Sequence, residues 1–308
     1  MTRNSIQALP GPRIGIDLGG TKIAGILFDA AGQVAAEARR PAPQGDYAAT
    51  VEAIAATVGE LEAKTGRAAT VGIGMPGCIA PSTGRVQNAN STWINDKPFK
   101  ADMEARLLRP VRLANDANCF VLSEATDGAA AGAGTVFGVI IGTGCGGGIT
   151  VDGRLIDGPR AISGEWGHTP LPWMSADEFD QTTCWCGRKG CLETWVSGTG
   201  LARDHQRRTG AALNGEQIVA AAARGDANAQ ATLDRHADRL ARGLALICNI
   251  LDPHVFVLGG GLSQLKHLYT VLPGLMAPHI LAADTAVVVR APTWGDASGV
   301  RGAARLWP

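Results

Sequence analysis

Apolar and polar positions alternate along Ile14-Gly15-Ile16-Asp17-Leu18, break at Gly19-Gly20-Thr21-Lys22, resume from Ile23 to Phe28, turn at 29–32 and start again at Val34. Period-two alternation between turn residues predicts strand, turn, strand, turn, strand. The arrangement returns about 125 residues later, a separation that suggests an internal repeat. There, Val136 to Ile141 leads into Gly142-Thr143-Gly144-Cys145-Gly146-Gly147-Gly148, then Ile149-Thr150-Val151, a tight Asp152-Gly153 turn and Arg154-Leu155-Ile156. Two copies of one glycine-turned meander imply two related domains.

Between the copies, Asp46 opens a helical pattern with Val51, Ile54, Val58 and Leu61 on one face, closed by Gly66; Thr70 to Ile73 then reads as a buried strand and Gly74-Met75-Pro76-Gly77 as a turn. A helix over 99–108, a short strand over 111–113 and a helix from Asn115-Asp116-Ala117-Asn118 to about Ala131 follow, and the domain joint is expected inside that last helix. Further on, 227–251 forms a long helix with Leu233, Leu240, Leu244, Ile247 and Leu251 inward, then come the strand 255–258 and Gly259-Gly260-Gly261. The closing segment, 295–307, reads as one capped helix that folds back on the first domain. The expected domains are 1–120 plus 294–308, and 121–293.

The 308 residues are 45% hydrophobic and 18% charged, with Lys+Arg and Asp+Glu both at 28. Zero net charge supplies no field for nucleic acid or an anionic membrane, so a small-molecule ligand is expected. Met1 to Pro10 has no apolar signal-like core, and no apolar run reaches the roughly 18 residues a spanning helix needs. The reading is a cytoplasmic protein. Of the seven cysteines, Cys184, Cys186 and Cys191 crowd together, while Cys78, Cys119, Cys145 and Cys248 are scattered in apolar or glycine-rich surroundings and read as small buried hydrophobes.

The crowded thiols, in Cys184-Trp185-Cys186-Gly187-Arg188-Lys189-Gly190-Cys191-Leu192-Glu193, follow Gly164-Glu165-Trp166-Gly167-His168. Three thiols and the His168 imidazole suit one closed tetrahedral Zn²⁺ site, which would hold Glu165, His168 and Glu193, side chains that grip hydroxyls, close together. With four protein ligands the zinc is structural. Trp185 and Trp195 flank the loop and are left open between packing on it and facing a sugar. His205, His236, His254, His267 and His279 lack partners at ligand spacing and are expected on surfaces or loops.

Gly142-Thr143-Gly144-Cys145-Gly146-Gly147 spells the dinucleotide fingerprint G-x-G-x-x-G, but a strand follows it, not the helix that motif requires. A glycine turn between antiparallel strands instead points backbone N–H groups at an anion, and two such turns could hold a polyphosphate. The first adds Thr21 and Lys22, and Asp17 sits where a carboxylate positions Mg²⁺ through water. The alternative is a pair of ordinary hairpins whose glycines only supply positive φ.

Asp17-Leu18-Gly19-Gly20-Thr21-Lys22, Gly74-Met75-Pro76-Gly77, Asn115-Asp116-Ala117-Asn118, Gly142-Thr143-Gly144, Gly164 to His168 and the cysteine cluster occur in the order of ROK sugar kinases, which the chain resembles from Arg13 to Pro308. The segment 88–95 and the ending 295–308 resemble the bacterial fructokinase/mannokinase branch. The resemblance implies an α/β protein of two domains with the actin-like, duplicated ribonuclease-H-like ATPase fold and a zinc-stabilised loop. It further implies an ATP-dependent hexose kinase acting at the C6 hydroxyl, with fructose the first choice, then mannose or glucose. Asp116 is then the general base, and Asn90, Asn115, Glu165, His168 and Glu193 bind the sugar. ATP falls to Gly19, Gly20, Thr21, Lys22, Gly142, Thr143, Gly144 and Gly260, Mg²⁺ to Asp17, and zinc to His168, Cys184, Cys186 and Cys191. By residue type alone, Asn115-Asp116 would equally cap a helix.

The alternatives are an N-acetylhexosamine kinase (N-acetylglucosamine or N-acetylmannosamine), a non-catalytic ROK sugar-sensing protein and a nucleotide-switched binding protein. A ROK repressor is disfavoured because only about a dozen residues precede the first strand, too few for a DNA-reading extension. The expected partners are sugar and ATP, with no nucleic acid and no membrane, in a homodimer.

Overall fold

The computed structural model describes residues 11–179 and 182–307. Met1–Pro10 and Pro308, ends of the expected first domain, lie outside the described residues. Contacts divide the chain into two compact units: Met1–Glu124 with Leu155–Ser163 and Asp296–Pro308, and Ala125–Arg154 with Gly164–Gly295.

The first unit opens with the meander β1 (Arg13–Leu18), β2 (Lys22–Phe28) and β3 (Val34–Pro41), followed by α1 (Tyr47–Thr65) and β4 (Thr70–Met75). A short hairpin, β5 (Cys78–Ile79) and β6 (Val86–Gln87), precedes α2 (Phe99–Leu107), β7 (Val111–Asn115) and α3 (Asp116–Asp127). Helix α1 begins and ends where its cap chemistry dictates. The Asp46 carboxylate accepts the Ala49 N–H at 2.9 Å, and Gly66 takes φ +64° while its N–H closes on the Glu62 carbonyl. Its face of Val51, Ile54, Val58 and Leu61 is buried with Ile14, Ile16, Ile23, Leu27, Val71 and Ile73 of the sheet.

The second unit repeats the plan: β8 (Thr135–Ile141), β9 (Cys145–Val151) and β10 (Arg154–Leu155), then, after a long insertion, α4 (Glu193–Val196), α5 (Gly198–Thr209), α6 (Gly215–Ala223), α7 (Ala227–Leu251), β11 (Val255–Gly259), α8 (Leu268–Met276) and β12 (Val289–Arg290). The sheets run β3-β2-β1-β4-β7 and β10-β9-β8-β11-β12. In each, the glycine-turned hairpin is antiparallel (β1/β2, β8/β9) and the next strand pairs parallel with its first strand (β1/β4, β8/β11). The identical order is the duplication that the repeated meander predicts. Among the described residues no helix is long and apolar enough to cross a membrane.

The closing helix α9 (Ser298–Ala304) lies on β1 and β4 of the first unit. Glycines make this possible. A Cβ on Gly15 would come 2.0 Å from the Val300 carbonyl oxygen, and one on Gly72 1.9 Å from that of Ala303.

Several elements differ from expectation. Helix α3 stops at Asp127, not near Ala131, because the chain turns back through Ala131 N–H to the Gly128 carbonyl (3.1 Å) and Gly132 takes φ +81°. The single closing helix is a 3₁₀ turn at Gly295–Ala297 followed by α9, with Gly295 at φ +55°. The stretch Leu155–Ser163, assigned from sequence to the second domain, belongs with the first unit. It is fastened there by the Asn118 amide donating to Asp157 Oδ1 at 3.1 Å.

Histidines 205 and 236 are not surface residues: they are 2% and 1% exposed. Helices α5 and α7 turn them inward, where His205 Nδ1 pairs with Thr232 Oγ1 at 3.0 Å and His236 Nε2 with the Val196 carbonyl at 2.8 Å. Burial lowers the His236 pKa to about 4, so the ring packs neutral as a hydrogen-bonded core side chain.

The helix-on-sheet approach gives a paired prediction. Gly72→Ala drives a methyl into backbone and should lower unfolding free energy by about 2–3 kcal/mol. Gly59→Ala, within α1 where an added Cβ meets nothing within 4 Å, should raise it by about 0.5–1 kcal/mol. Urea denaturation of the two variants measures both.

Candidate functional site

The glycines and the tryptophan of Gly164 to His168 seat the turn on its neighbours. A Cβ on Gly164 would lie 2.2 Å from the Gly147 carbonyl oxygen and one on Gly167 2.2 Å from that of Cys145, so the turn presses directly on β9. Trp166, buried, donates its indole N–H to the Gly146 carbonyl at 3.0 Å and meets Phe137 edge-on at 5.5 Å. With the turn anchored, Glu165 and His168 are presented together, Glu165 Oε2 3.9 Å from His168 Nε2.

The other histidine nitrogen faces the cysteines: His168 Nδ1 is 3.6 Å from Cys184 Sγ, and Cys186 Sγ is 3.7 Å from Cys191 Sγ. Ligand atoms of all four residues lie within 4.8 Å of one another. Tetrahedral zinc with ordinary Zn–S and Zn–N bonds has S···S edges of about 3.8 Å and S···N edges of about 3.6 Å. The cluster fits a zinc site. Its cysteine turn is built by Cys184 N–H to the Arg188 carbonyl (2.8 Å) and Gly187 N–H to the Cys184 carbonyl (2.9 Å), with Gly187 at φ +83°. Burial pushes the Cys184 thiol up to about 12; a coordinated cation reverses that preference, because a ligating thiol is deprotonated outright.

Glu193 links the cluster to the second glycine turn. Its Oε2 accepts the Cys145 N–H at 2.9 Å and its Oε1 the Trp185 indole N–H at 2.8 Å, with Cys184 Sγ 3.6 Å from Oε1. A Cβ on Gly144 would come 2.8 Å from Oε2, so a larger residue there would push the carboxylate from its present position. The turn's carbonyls are held by the start of α5: Gly142 O accepts the Gly198 N–H at 2.7 Å and Thr143 O the Thr199 hydroxyl at 3.0 Å. Gly260, at φ +78°, passes so close to β8 that a Cβ would sit 2.5 Å from the Ile141 carbonyl oxygen. As strand β9 follows Gly142–Gly144, the dinucleotide-fingerprint reading is excluded.

The two tryptophans separate. Trp185 is 60% exposed and Trp195 5%, the latter with the Arg239 guanidinium 4.6 Å from its ring centroid. Sequence reasoning missed the buried ionic network there. Arg239 pairs with Glu178 Oε1 at 2.7 Å and with Asp204 Oδ1 at 3.0 Å, and Arg242 pairs with Glu178 at 2.8 Å and with the Pro172 and Trp173 carbonyls. Burial alone would raise the Glu178 pKa, but the hydrogen bonds from Arg242 and Arg239 prevail and bring it to about 2.

In the first unit, Gly19, Gly20 and Thr21 join β1 to β2. The Gly19 N–H closes on the Lys22 carbonyl at 2.9 Å, while the Thr21 and Gly20 carbonyls are taken by Ala42 N–H and the Gln44 amide, each at 3.0 Å. Thr21 and Lys22 are exposed. Asp17 lies beneath this turn, next to Gly299 of α9. Burial, then the nearby Asp116 charge, raise its pKa to about 6 against the lowering pull of Lys22.

Asn115 ends β7 and carries the capping: its Oδ1 accepts the Ala117 N–H at 2.9 Å and its Nδ2 donates to the Gly77 carbonyl at 3.1 Å, fixing the Gly74–Gly77 turn. Asp116 Oδ1 also takes the Ala117 N–H at 2.8 Å, yet burial outweighs its donors and raises its pKa. Asn90 is exposed on a loop pinned by Asn95, whose side chain pairs with both the N–H and the carbonyl of Ala89 at 2.9 and 2.8 Å. Asn95 and the Asn118–Asp157 pair gave no signal beyond residue type.

The ROK family pattern matches residues 13–308. The chain belongs to the ROK family. It is 40% identical over 296 residues to an N-acetyl-D-glucosamine kinase of Salmonella heidelberg (strain SL476), covering 95% of this chain and 98% of that protein. The solved ROK hexokinase of Thermus thermophilus superposes with a TM-score of 0.85 at 29% identity, covering 96% of this chain and 97% of that one. A ROK family glucokinase of Streptomyces griseus, in complex with glucose and AMPPNP, superposes with a TM-score of 0.77 at 28% identity over 96% and 99%. The fold of these ROK relatives is the actin-like ATPase fold that the duplicated sheets display.

In this ROK chain the Asp17 carboxyl, at about 6 against an ordinary 3.8, holds its proton more tightly folded than unfolded. The associated stability is full below the unfolded value and is lost as pH rises through about 6. Asp17→Asn should therefore stabilise the ligand-free protein at pH 7.5 by up to about 3 kcal/mol and flatten the loss of stability between pH 4 and 7. Denaturation midpoints across that range check it.

Proposed function

We propose that the chain transfers the γ-phosphoryl group of ATP to the C6 hydroxyl of an N-acetylhexosamine, with N-acetyl-D-glucosamine the favoured acceptor. The observation that carries the sugar reading is the grouping of Glu165, His168 and Glu193 around the Cys₃His cluster. Three polar side chains are thereby held close together on a segment that lacks long regular structure, which supports assigning them to sugar hydroxyls. The acceptor comes from the N-acetyl-D-glucosamine kinases that share 40% identity over nearly both full lengths. These relatives favour the N-acetylhexosamine alternative over the fructose first choice.

Phosphoryl transfer needs an aligned hydroxyl, a proton acceptor and charge neutralisation at the phosphates. In the proposed reaction the C6 oxygen attacks the γ-phosphorus, the bond to the β–γ bridging oxygen breaks, ADP leaves, and the hydroxyl proton passes to Asp116. A half-buried carboxylate with raised pKa is a stronger base than a fully exposed one. Asn115 holds the helix start that carries it. The N–H groups of Gly20, Thr21, Thr143 and Gly144, with Lys22, are assigned to the phosphates, the Gly19 and Gly142 N–H groups closing their own turns on the Lys22 and Gly144 carbonyls. Mg²⁺ would neutralise phosphate charge, with ionised Asp17 holding it through water. Zinc at His168, Cys184, Cys186 and Cys191 would be structural, leaving no open position for substrate.

Asp116→Asn should lower kcat by about 10²–10⁴-fold while calorimetry still detects sugar binding. Loss of binding in the folded variant would refute the base assignment. The wild-type protein, assayed by ADP release with N-acetylglucosamine, N-acetylmannosamine, glucose, mannose and fructose, should show the highest kcat/KM on N-acetylglucosamine; a fructose preference would restore the first reading.

For the metal, Cys186→Ser should reduce bound zinc from about one per chain to well below that and lower the thermal midpoint. Elemental analysis and calorimetry measure both.

A further inference from the structure

Trp185 stands between two of the cluster's cysteines. The turn from Cys184 to Arg188 projects it outward, leaving it 60% exposed. Its orientation is nevertheless fixed. The indole N–H donates to Glu193 Oε1 at 2.8 Å, and the indole and the His168 ring are nearly perpendicular, centroids 4.9 Å apart and planes at 84°. Trp173, also exposed, instead stacks on His279 with planes at 27°. Among the described residues no ring or cation stacks on the Trp185 indole. A tryptophan tied at its polar edge and 60% exposed is a rigid apolar surface open to a ligand, and it stands beside His168 and Glu193.

Two consequences follow from that geometry. The indole N–H fixes Glu193: Oε1 carries the Trp185 donor while Oε2 carries the Cys145 N–H, so the carboxylate cannot rotate without breaking one of them. The ring itself suits an acceptor with an apolar substituent among its hydroxyls. An aromatic face gains by covering CH and methyl groups and offers nothing to a hydroxyl that it leaves unpaired.

We infer that Trp185 is a specificity-determining residue of the sugar site, positioning Glu193 through its N–H and taking the acetamido methyl group of the acceptor against its indole face. The inference rests on the acceptor reading above and names the residue that enforces it. It also accounts for a large aromatic held in solvent on a turn whose metal-binding role needs only the flanking thiols.

The test uses Trp185→Phe and Trp185→Ala in the full-length, zinc-loaded protein, with kcat/KM measured for N-acetylglucosamine and for glucose. Trp185→Phe, which keeps a ring and loses the N–H, should raise KM about tenfold for both sugars, as expected for losing one hydrogen bond to a charged group. Trp185→Ala should in addition lower the N-acetylglucosamine to glucose ratio by about tenfold or more, with zinc content unchanged. As a second readout, N-acetylglucosamine should shift the tryptophan emission of the wild-type protein and not that of Trp185→Phe.

An unchanged ratio in Trp185→Ala, or an emission shift of equal size in wild type and Trp185→Phe, overturns the assignment. If Trp185→Ala loses its zinc, the emission comparison decides alone. A wild-type protein that phosphorylates other hexoses but not N-acetylglucosamine overturns the acceptor reading itself, a result distinct from either of those.

Discussion

Between Gly164 and Leu192 the described helices are two three-residue 3₁₀ turns, Trp166–His168 and Ala176–Glu178, and strand pairing is limited to the isolated bridges Pro170–Cys191 and Thr183–Lys189, so side chains supply much of the order that a longer backbone ladder supplies elsewhere. Three anchors do so at intervals: the Trp166 indole on β9, the Glu178 carboxylate between Arg239 and Arg242 of α7, and the Cys₃His cluster. Ordering each residue costs about 1–2 kcal/mol of backbone entropy, a cost that scattered surface contacts would not offset. A buried ion pair adds little net stability, but removing one partner is severe because the other charge is stranded. The network therefore acts chiefly to define one position for the strap, and Glu165, His168 and Glu193 inherit that definition.

The two units show one architecture carrying different side chains. Both begin with a hairpin whose turn is rich in glycine, and in both the turn's carbonyls are drawn back into the protein by later residues, Ala42 and Gln44 in one and Gly198 and Thr199 in the other. What differs is the charge supplied to each. The first turn has Asp17 beneath it and Lys22 at its exit, whereas the second has the Glu193 carboxylate bonded at its exit. Duplication conserved the backbone geometry, and function lies in the side chains grafted around it.

Much of this was legible in sequence because it is local. The caps Asp46 and Gly66, the apolar stripe of α1, both meanders and the metal-ligand spacing depend on residues within a few turns of one another. Contacts over long separations were hidden. Glu178 meets Arg239 about 60 residues away, and no periodicity announces such a pairing. His205 and His236 were misplaced for the same reason, since a polar side chain on a buried helix face is satisfied by a partner that only the tertiary fold selects. Asn118 holding Asp157 likewise moved Leu155–Ser163 into the other unit. Asn115 and Asp116 both accept the Ala117 N–H at the start of α3, a sharing that residue type allowed but did not assign.

The contact of α9 with Gly15 and Gly72 bears on how the chain is made. The sheet face those glycines open belongs to strands near the beginning of the sequence, while the helix that covers it ends at Ala304. At about 5–20 residues per second of ribosomal synthesis, the strands wait for tens of seconds before their cover emerges. The intervening unit, contiguous from Gly164 to Gly295 apart from its opening strands, is complete first. The early strands can bury their main core against α1 and α2 as soon as these emerge, but the opposite face, where Val300 and Ala304 meet Ile26 and Phe28, is covered last.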